Sequence, residues 1–219
     1  MEPSKGICYY TNNILDEKIF NACLRQLKKV TEGMEIVSVS HKPVDFGKNI
    51  VVDLPSGKKS IVEQINIGLQ ASTTDVIYFV EHDVLYHPSY FEFVPKGLED
   101  FCYNTNVWQL DVETKKALFR KSKRTSQLVV YREALVDYFE IFMERIKKRG
   151  YRNRFGIAPL THANCGVEKY HLKVFKSQFP NIDIRHKDNF TKFVPTDEKL
   201  FDEIPSWGKV KDIYDFYFR

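Results

Sequence analysis

The order of strands and helices along the first third of the chain constrains its fold more than any other feature. Apolar segments at residues 6–11, 35–40 and 75–80 have the length of buried strands. Between them, apolar residues recur at helical spacing over residues 16–30 and 60–71. Strands that alternate with helices are typical of a parallel sheet covered by helices. The sequence therefore predicts an α/β fold with a mostly parallel central sheet flanked by helices.

The rest of the chain has a weaker pattern. Short strands are predicted at residues 106–112, 116–120 and 126–131, and the apolar spacing from Leu135 to Ile146 predicts a strong helix. A further helix is predicted within residues 167–178, ahead of an aromatic-rich tail. Because the segment between the second strand and the second helix contains Pro and Gly residues, it is predicted to be a long connection.

Length and composition fit one globular domain. Of the 219 residues, 43% are hydrophobic and 28% are charged, which provides for a sizeable core. No window approaches the roughly 20 apolar residues of a membrane span, and the N-terminal segment lacks the apolar stretch of a signal peptide. We expect a single cytoplasmic domain at 1–219. Its four cysteines lack C-x-x-C spacing and are predicted to be reduced core thiols: Cys8, Cys23, Cys102 and Cys165.

Three ionisable residues directly follow the third predicted strand. In VIYFVEHDVLY, at residues 76–86, the apolar run ends in Glu81, His82 and Asp83. Buried carboxylates are costly unless something pairs with them, and open α/β sheets bind ligands beyond the carboxyl ends of their strands. Two carboxylates one residue apart can serve a ligand and a hard cation. The alternative is a strand that ends at a solvated acidic turn.

The context of these residues resembles a known family. NIGLQASTTDVIYFVEHD, at residues 66–83, combines an N-x-G helix, a small turn, an apolar strand and an acidic ending. It resembles the segment of family-2-like glycosyltransferases of the GT-A fold that leads to a D-x-D motif. Glu81 replaces the first Asp of that motif, and Thr73 or Thr74 stands where the family often has Gly.

The resemblance implies the fold and the chemistry of the whole chain. It implies a Rossmann-like GT-A domain in which residues 1–86 bind a nucleotide-diphosphate sugar and residues 87–219 face the acceptor. A UDP-sugar is the expected donor, with Mn²⁺ or Mg²⁺ as the divalent cation. The residues expected to bind the nucleotide sugar are Tyr10, Thr11, Asn12, Asp45, Lys58, Lys59, Asn66, Glu81 and Arg185.

Metal ligands and a catalytic base are also implied. Asp83, together with Glu81, is the expected metal ligand, and His186, which follows the short strand of NIDIRHKDNFT, is expected to join it. His162 is a weaker candidate for the same role. The residues expected to deprotonate the acceptor are Glu168, in a predicted helix start, or Asp111, after VWQLD. A retaining mechanism would need no such base.

The acceptor is left open by the sequence. RKSKRT, at residues 120–125, and RIKKRGYRNR, at residues 145–154, concentrate cations in the second half of the chain, although the formal net charge is only +4. A solvated basic face is the ordinary explanation. The alternative is contact with a phosphate backbone, which would make the acceptor a hydroxylated base in DNA. A glycan or small-molecule acceptor predicts no such contact.

Two other classes of protein remain open at this stage. A sugar nucleotidyltransferase has a related α/β core but would carry a Gly-rich, basic loop after the first strand, and YYTNNILDE has neither feature. A non-catalytic module that binds nucleotide sugars would keep the fold and tolerate replacement of Asp83. Nucleotide diphosphates with Mn²⁺ or Mg²⁺ should stabilise a specific binder, and this distinguishes it from a chain without a nucleotide site.

Overall fold

The computed structural model describes residues 2–150, 158–161, 168–187, 189 and 199–219. Short 3₁₀ turns occur at Pro88–Tyr90 and Thr125–Gln127. The helices and strands of these residues are, in chain order, β1 (Lys5–Thr11), α1 (Glu17–Val30), β2 (Glu35–Ser40), β3 (Lys48–Val51), α2 (Lys58–Ala71), β4 (Val76–Glu81), β5 (Val84–Leu85), β6 (Asp100–Asn104), β7 (Val107–Asp111), β8 (Lys116–Phe119), β9 (Leu128–Tyr131), α3 (Arg132–Arg149), β10 (His171–Phe175), β11 (Asn181–Arg185), β12 (Glu203–Ile204), β13 (Gly208–Lys209) and α4 (Val210–Phe218).

A seven-stranded sheet forms the centre of the molecule, with strand order β10-β6-β9-β4-β1-β2-β3. All neighbouring pairs in it are parallel except the two that involve β9, which runs antiparallel to β4 and β6. The α/β prediction with a mostly parallel sheet is confirmed. Because β1 and β4 are parallel neighbours at the middle, their carboxyl ends lie side by side.

The two faces of the central sheet bury different residues of the same strands. Cys8 and Tyr10 of β1 pack into a cluster with α2 and α3, whereas Ile7 and Tyr9 pack on the opposite face with Leu27 of α1. This alternation follows from the two-residue period of a strand. Helices on both faces therefore leave the strand ends as the exposed edges of the sheet.

A smaller sheet packs beside the central one. It has the order β5-β11-β7-β8, in which β11 is parallel to β7 and antiparallel to β5. Ile184 of β11, Trp108 of β7 and Ile213 of α4 share a core with α1. The short strand predicted around Ile182 and Ile184 is confirmed as β11. This sheet brings the chain from residue 181 onward to the end of β4.

Two predictions about secondary structure are wrong. Residues 171–175 form the edge strand β10, not part of a helix, because their backbone pairs in parallel register with β6. Lys48–Val51 form a strand inside the predicted long connection, paired with β2. Both are short edge strands without a fully buried face, so neither has the apolar run that marks a core strand.

The cysteine prediction holds for the described residues. Cys8, Cys23 and Cys102 are free and buried. Burial raises the pKa of the Cys8 thiol to about 12, so that this thiol stays protonated and inert. Cys165 lies outside the described residues. Among those residues, no helix combines the length and hydropathy needed to cross a membrane.

Candidate functional site at the ends of β1 and β4

Tyr10 and Glu81 are neighbours at the carboxyl edge of the sheet. They are register partners in the parallel pair of β1 and β4, and the Tyr10 hydroxyl donates a hydrogen bond of 2.5 Å to Glu81 Oε1. The backbone N–H of Glu81 donates to the hydroxyl of Tyr86, 3.0 Å away. Tyr10 thus holds the Glu81 side chain at the strand end and Tyr86 holds its backbone, and both tyrosines are buried in the core.

Asp83 and His186 meet at the same edge, although 103 positions separate them (186 minus 83). The N–H of Ile184 in β11 donates to the carbonyl of Asp83 over 2.8 Å, which joins the two chain segments through their backbones. His186 follows two residues later, and its Nε2 lies 3.5 Å from Asp83 Oδ2. The structure therefore brings together the two residues that were predicted to share a cation.

The amide nitrogen of Asn189 lies between Asp83 and His186 and marks a point where a positive charge would fit. The Nδ2 of Asn189 lies 2.9 Å from Asp83 Oδ2 and 3.0 Å from His186 Nε2, while the Oδ1 of the same residue accepts from the His186 backbone N–H at 2.7 Å. The Asp83 carboxylate and the His186 imidazole therefore both contact this one amide nitrogen. A carboxylate and an imidazole that face the same point fit a divalent cation. Among the described residues, no group of three or more His, Cys, Asp or Glu side chains is arranged to hold a metal ion, so an ion here would need ligands beyond Asp83 and His186.

The pKa values of the two carboxylates are shifted in opposite directions. Burial and the nearby Asp83 charge raise the pKa of Glu81 to about 7, against the opposing effects of Tyr10 and two arginines. Burial acts to raise the pKa of Asp83 as well, but the contact with His186 and the charges around it outweigh burial and leave that pKa below its usual value. Asp83 is therefore the ionised member of the pair, as a metal ligand must be.

A pocket opens in front of these residues, and we call it the strand-end pocket. Its volume is about 630 Å³ including the open space at its mouth. Its wall combines the end of β1, the end of β4 and the segment after β11. The lining residues are Tyr10, Thr11, Asn12, Ile14, Leu15, Ile61, Gln64, Glu81, His82, Asp83, His186 and Asn189.

Comparison with known proteins finds solved structures with a similar fold. No protein-family model and no curated protein sequence matches the chain. The mannosyltransferase PcManGT from Pyrobaculum calidifontis, in complex with GDP-Man and Mn²⁺, matches it with a TM-score of 0.50 and 12% identity over 87% of this chain and 59% of that chain. The chain has a GT-A-like fold.

Other solved structures give lower scores. Residues 1–349 of S. aureus TarS, in complex with UDP-GlcNAc, match with a TM-score of 0.48 and 12% identity over 87% of this chain and 62% of that one. The bifunctional IspDF from Campylobacter jejuni matches with a TM-score of 0.47 and 10% identity over 80% of this chain and 50% of that one. The GT-A-like chain thus spans between half and about three-fifths of these proteins.

Gln64 lines the strand-end pocket and was not predicted. Its Nε2 donates to the carbonyls of Thr11 at 2.8 Å and Val39 at 3.2 Å, so that it ties helix α2 to the ends of β1 and β2. The sequence does contain a signal for it. Gln64 lies between Val62 and Ile65 on the buried side of the helix, where a polar residue needs a buried partner.

Several predicted nucleotide-binding residues do not line the strand-end pocket. Asp45 is fully exposed and pairs with Lys28 at 2.7 Å, and this partner lowers the pKa of Asp45. Lys58 begins helix α2, and Lys59 pairs with Glu63 one turn along the same helix at 3.4 Å. Asn66 also lies on α2, and the described residues offer no hydrogen-bond partner to its Oδ1. Their predicted contact with the nucleotide stays a prediction.

The predicted bases also lie away from the pocket wall. Glu168 is exposed in a turn before β10, and the parallel register of β10 with β6 places it at the edge of the sheet opposite Glu81. Asp111 ends β7, where its Oδ1 accepts from the N–H and hydroxyl of Thr114. Neither carboxylate lines the strand-end pocket, and their role as the base stays a prediction. His162 lies outside the described residues.

A buried group of charges adjoins the strand-end residues. Arg124 forms an ion pair with Asp183, and Nη1 of Arg185 lies 3.3 Å from Oδ1 of the same carboxylate. Burial lowers the pKa of Arg124 to about 10, and the charges of Glu81 and Asp83 oppose that effect. The Arg124 side chain is only 19% exposed. It is therefore held in the interior and is not one of the solvated cations that the sequence suggested.

Proposed function

We propose that this chain is a glycosyltransferase that moves a sugar from a nucleotide-diphosphate sugar to an acceptor hydroxyl and uses Mn²⁺ or Mg²⁺. The observation that carries the proposal is the convergence of Asp83 and His186 on one point beside the strand-end pocket. Two residues so far apart in sequence meet where open α/β folds bind ligands. A solvated acidic turn would not bring a histidine from the far end of the chain.

Each part of the pocket has a role in this proposal. Tyr10, Thr11 and Asn12 present hydroxyl and amide groups for the base and ribose, and Glu81 offers a carboxyl oxygen on the same wall. Asp83 and His186 hold the cation. When bound, a divalent cation supplies neutralisation of the charge that develops on the leaving diphosphate.

The donor is proposed to be a UDP-sugar. The fold supports a nucleotide sugar in general, because PcManGT has the same architecture and was solved with GDP-Man and Mn²⁺. Since that protein holds a guanine nucleotide, GDP belongs in the same test. The base preference is decided by the measurement described next.

Thermal unfolding with added nucleotides tests the proposal. UDP or GDP together with Mn²⁺ should raise the melting temperature, since a ligand at about 100 times its Kd adds about 2.7 kcal/mol to the free energy of unfolding. Asp83→Asn and His186→Gln should remove the metal-dependent part of the shift. Asp202→Asn is the matched control, because Asp202 is an exposed carboxylate paired with Lys116 at 2.6 Å. The proposal fails when no nucleotide diphosphate stabilises the intact chain with either metal.

Two rival functions are distinguished by the products that form when the protein is given a nucleotide substrate. A sugar nucleotidyltransferase would release pyrophosphate from a nucleoside triphosphate, whereas a glycosyltransferase releases the nucleoside diphosphate from its donor. The segment after β1, YYTNNILDE, lacks the Gly-rich, basic loop expected of a nucleotidyltransferase. In it Asn13 has φ of 57° and its Oδ1 accepts from the N–H groups of His41 and Lys42. This segment is tied to the end of β2 through its own side chains. A non-catalytic module would bind the donor and leave it intact.

A DNA acceptor is the finer proposal that the sequence suggested. It rests on Arg120, Lys121, Lys123 and Arg124 as contacts to a phosphate backbone. Because Arg124 is paired with buried Asp183, the cluster offers at most three of these cations to a nucleic acid. Measuring DNA affinity at two salt concentrations tests this acceptor, since electrostatic binding is strongest at low salt.

A further inference from the structure

A second pocket adjoins the strand-end pocket and shares His186 with it. Its volume is about 750 Å³ including open space. It lies between the start of α1, the turn that follows β7, the segment after β11 and the C-terminal helix α4. A transferred sugar must meet its acceptor beside the cation, so a cavity that opens at a proposed metal ligand is placed for the acceptor.

The walls of this second pocket combine aromatic and apolar surface with carboxylates. Tyr214 and Phe218 of α4 form one wall, with ring centroids 5.9 Å apart, and Ile19 and Val112 contribute apolar surface. Lys115 Nζ lies 4.5 Å from the centroid of the Tyr214 ring and helps to fix that ring. Flat apolar surface next to polar groups suits a molecule that has both C–H faces and hydroxyl edges.

The charges of the second pocket balance one another. Among the lining residues, Asp16 and Glu113 offset Lys18 and Lys187, so their formal charge sums to zero when His186 is neutral, and Lys115 lies behind the Tyr214 ring. Asp16 is already occupied, since its Oδ1 accepts from the backbone N–H of Lys18 as the N-cap of α1. Glu113, by contrast, has neither a hydrogen bond nor an ion pair from its side chain among the described residues. A balanced pocket attracts a polyanion weakly, whereas a carboxylate without a partner accepts hydrogen bonds from hydroxyl groups.

We propose that the second pocket binds a carbohydrate acceptor, with the Tyr214 ring against a sugar face and Glu113 accepting from its hydroxyls. This inference rests on the proposed glycosyltransferase function and names the acceptor class that the function lacks. It differs from the nucleic-acid acceptor in its chemistry, because the recognition is by stacking and hydroxyl hydrogen bonds. It also differs from the predicted bases, because neither Glu168 nor Asp111 lines this pocket.

Binding of simple glycosides tests the pocket directly. Methyl β-glucoside, methyl β-galactoside, methyl N-acetyl-β-glucosaminide and maltotriose are titrated by saturation-transfer NMR, with and without UDP and Mn²⁺. We expect at least one of them to bind in the presence of UDP and Mn²⁺. Tyr214→Ala should weaken that binding about tenfold, as is common for an aromatic anchor. Glu113→Gln, in an exposed turn, should weaken it about fivefold by replacing a charged acceptor.

The same helix provides the matched control. Phe216 is 79% exposed and lies outside the pocket, so Phe216→Ala should leave glycoside binding unchanged. The proposal is overturned when no glycoside binds the intact chain, when Tyr214→Ala and Glu113→Gln bind as well as the intact chain, or when a thymidine oligonucleotide binds in their place. Glycoside binding without any nucleotide binding would overturn the proposed function and leave the pocket assignment standing.

Discussion

At the scale of single residues, Glu81 makes stability depend on pH. Its pKa is about 7 in the folded protein against an ordinary 4.5, because burial and Asp83 disfavour its charge. Between these values the folded chain binds more protons than the unfolded chain, so the free energy of unfolding falls as pH rises. We expect a loss of up to about 3 kcal/mol between pH 4.5 and pH 7.5 from this group.

Comparison of the intact chain with the Glu81→Gln variant isolates the contribution of Glu81 to the pH dependence of the free energy of unfolding. His82 acts in the opposite direction in the same range, since burial lowers its pKa and folding then disfavours its protonated form. The difference between the two chains in urea unfolding at pH 5 and pH 8 removes that contribution. Glu81→Gln should be the more stable chain at pH 8. An equal change in the free energy of unfolding between pH 5 and pH 8 in both chains would show that Glu81 does not cause the pH dependence.

At the scale of elements, Gly68 explains one part of the N-x-G motif. A Cβ at this position of α2 would lie 2.7 Å from Cys8 Sγ of β1, so glycine lets the helix approach the sheet closely. We expect Gly68→Ala to destabilise the chain by about 1–2 kcal/mol, since overpacking outweighs the gain in helix propensity. Cys8→Ala should relieve the cost in the double variant. Strictly additive effects in that cycle, measured by urea unfolding, would rule out this contact.

The same elements show how far the sequence predicts the fold. The segment from β1 to β4 was predictable because each central strand is buried and each helix has an apolar stripe. Strands β3 and β10 were not, because an edge strand is held by backbone pairing and its side chains carry little pattern. The apolar spacing of α3 predicted that helix, whose end at Gly150 has the left-handed φ of 69° common after a helix.

At the scale of the whole molecule, Asp183 links the smaller sheet to the loop that precedes β9. It is 3% exposed and pairs with Arg124 and Arg185. Asp183→Asn would leave two arginines close together in the interior, and we expect it to lower the free energy of unfolding by about 3–5 kcal/mol. Asp202→Asn, which breaks an exposed pair, should cost less than about 1 kcal/mol. If Asp183→Asn and Asp202→Asn lower the midpoint of urea unfolding by the same amount, the structural role of Asp183 is contradicted.

The candidate site was predictable where it depends on neighbours in sequence. Glu81 and Asp83 follow from the end of one strand, and Tyr10 from the end of another that the α/β pattern places beside it. Gln64 and Asn189 were not predicted, because their roles depend on which backbone and side-chain groups the tertiary fold brings near them. Asp45 was assigned from its position after β2, but a surface lysine engages it.

The hydrogen bond from Ile184 N–H to the carbonyl of Asp83 closes a long ring of chain. The antiparallel pairing of β5 with β11 and this hydrogen bond hold Asp83 near His186, so their spacing does not depend on the length of the chain between them. Surface connections inside that ring that do not contact the site can gain or lose residues without altering this spacing. The strand-end pocket and those connections are therefore free to diversify at different rates.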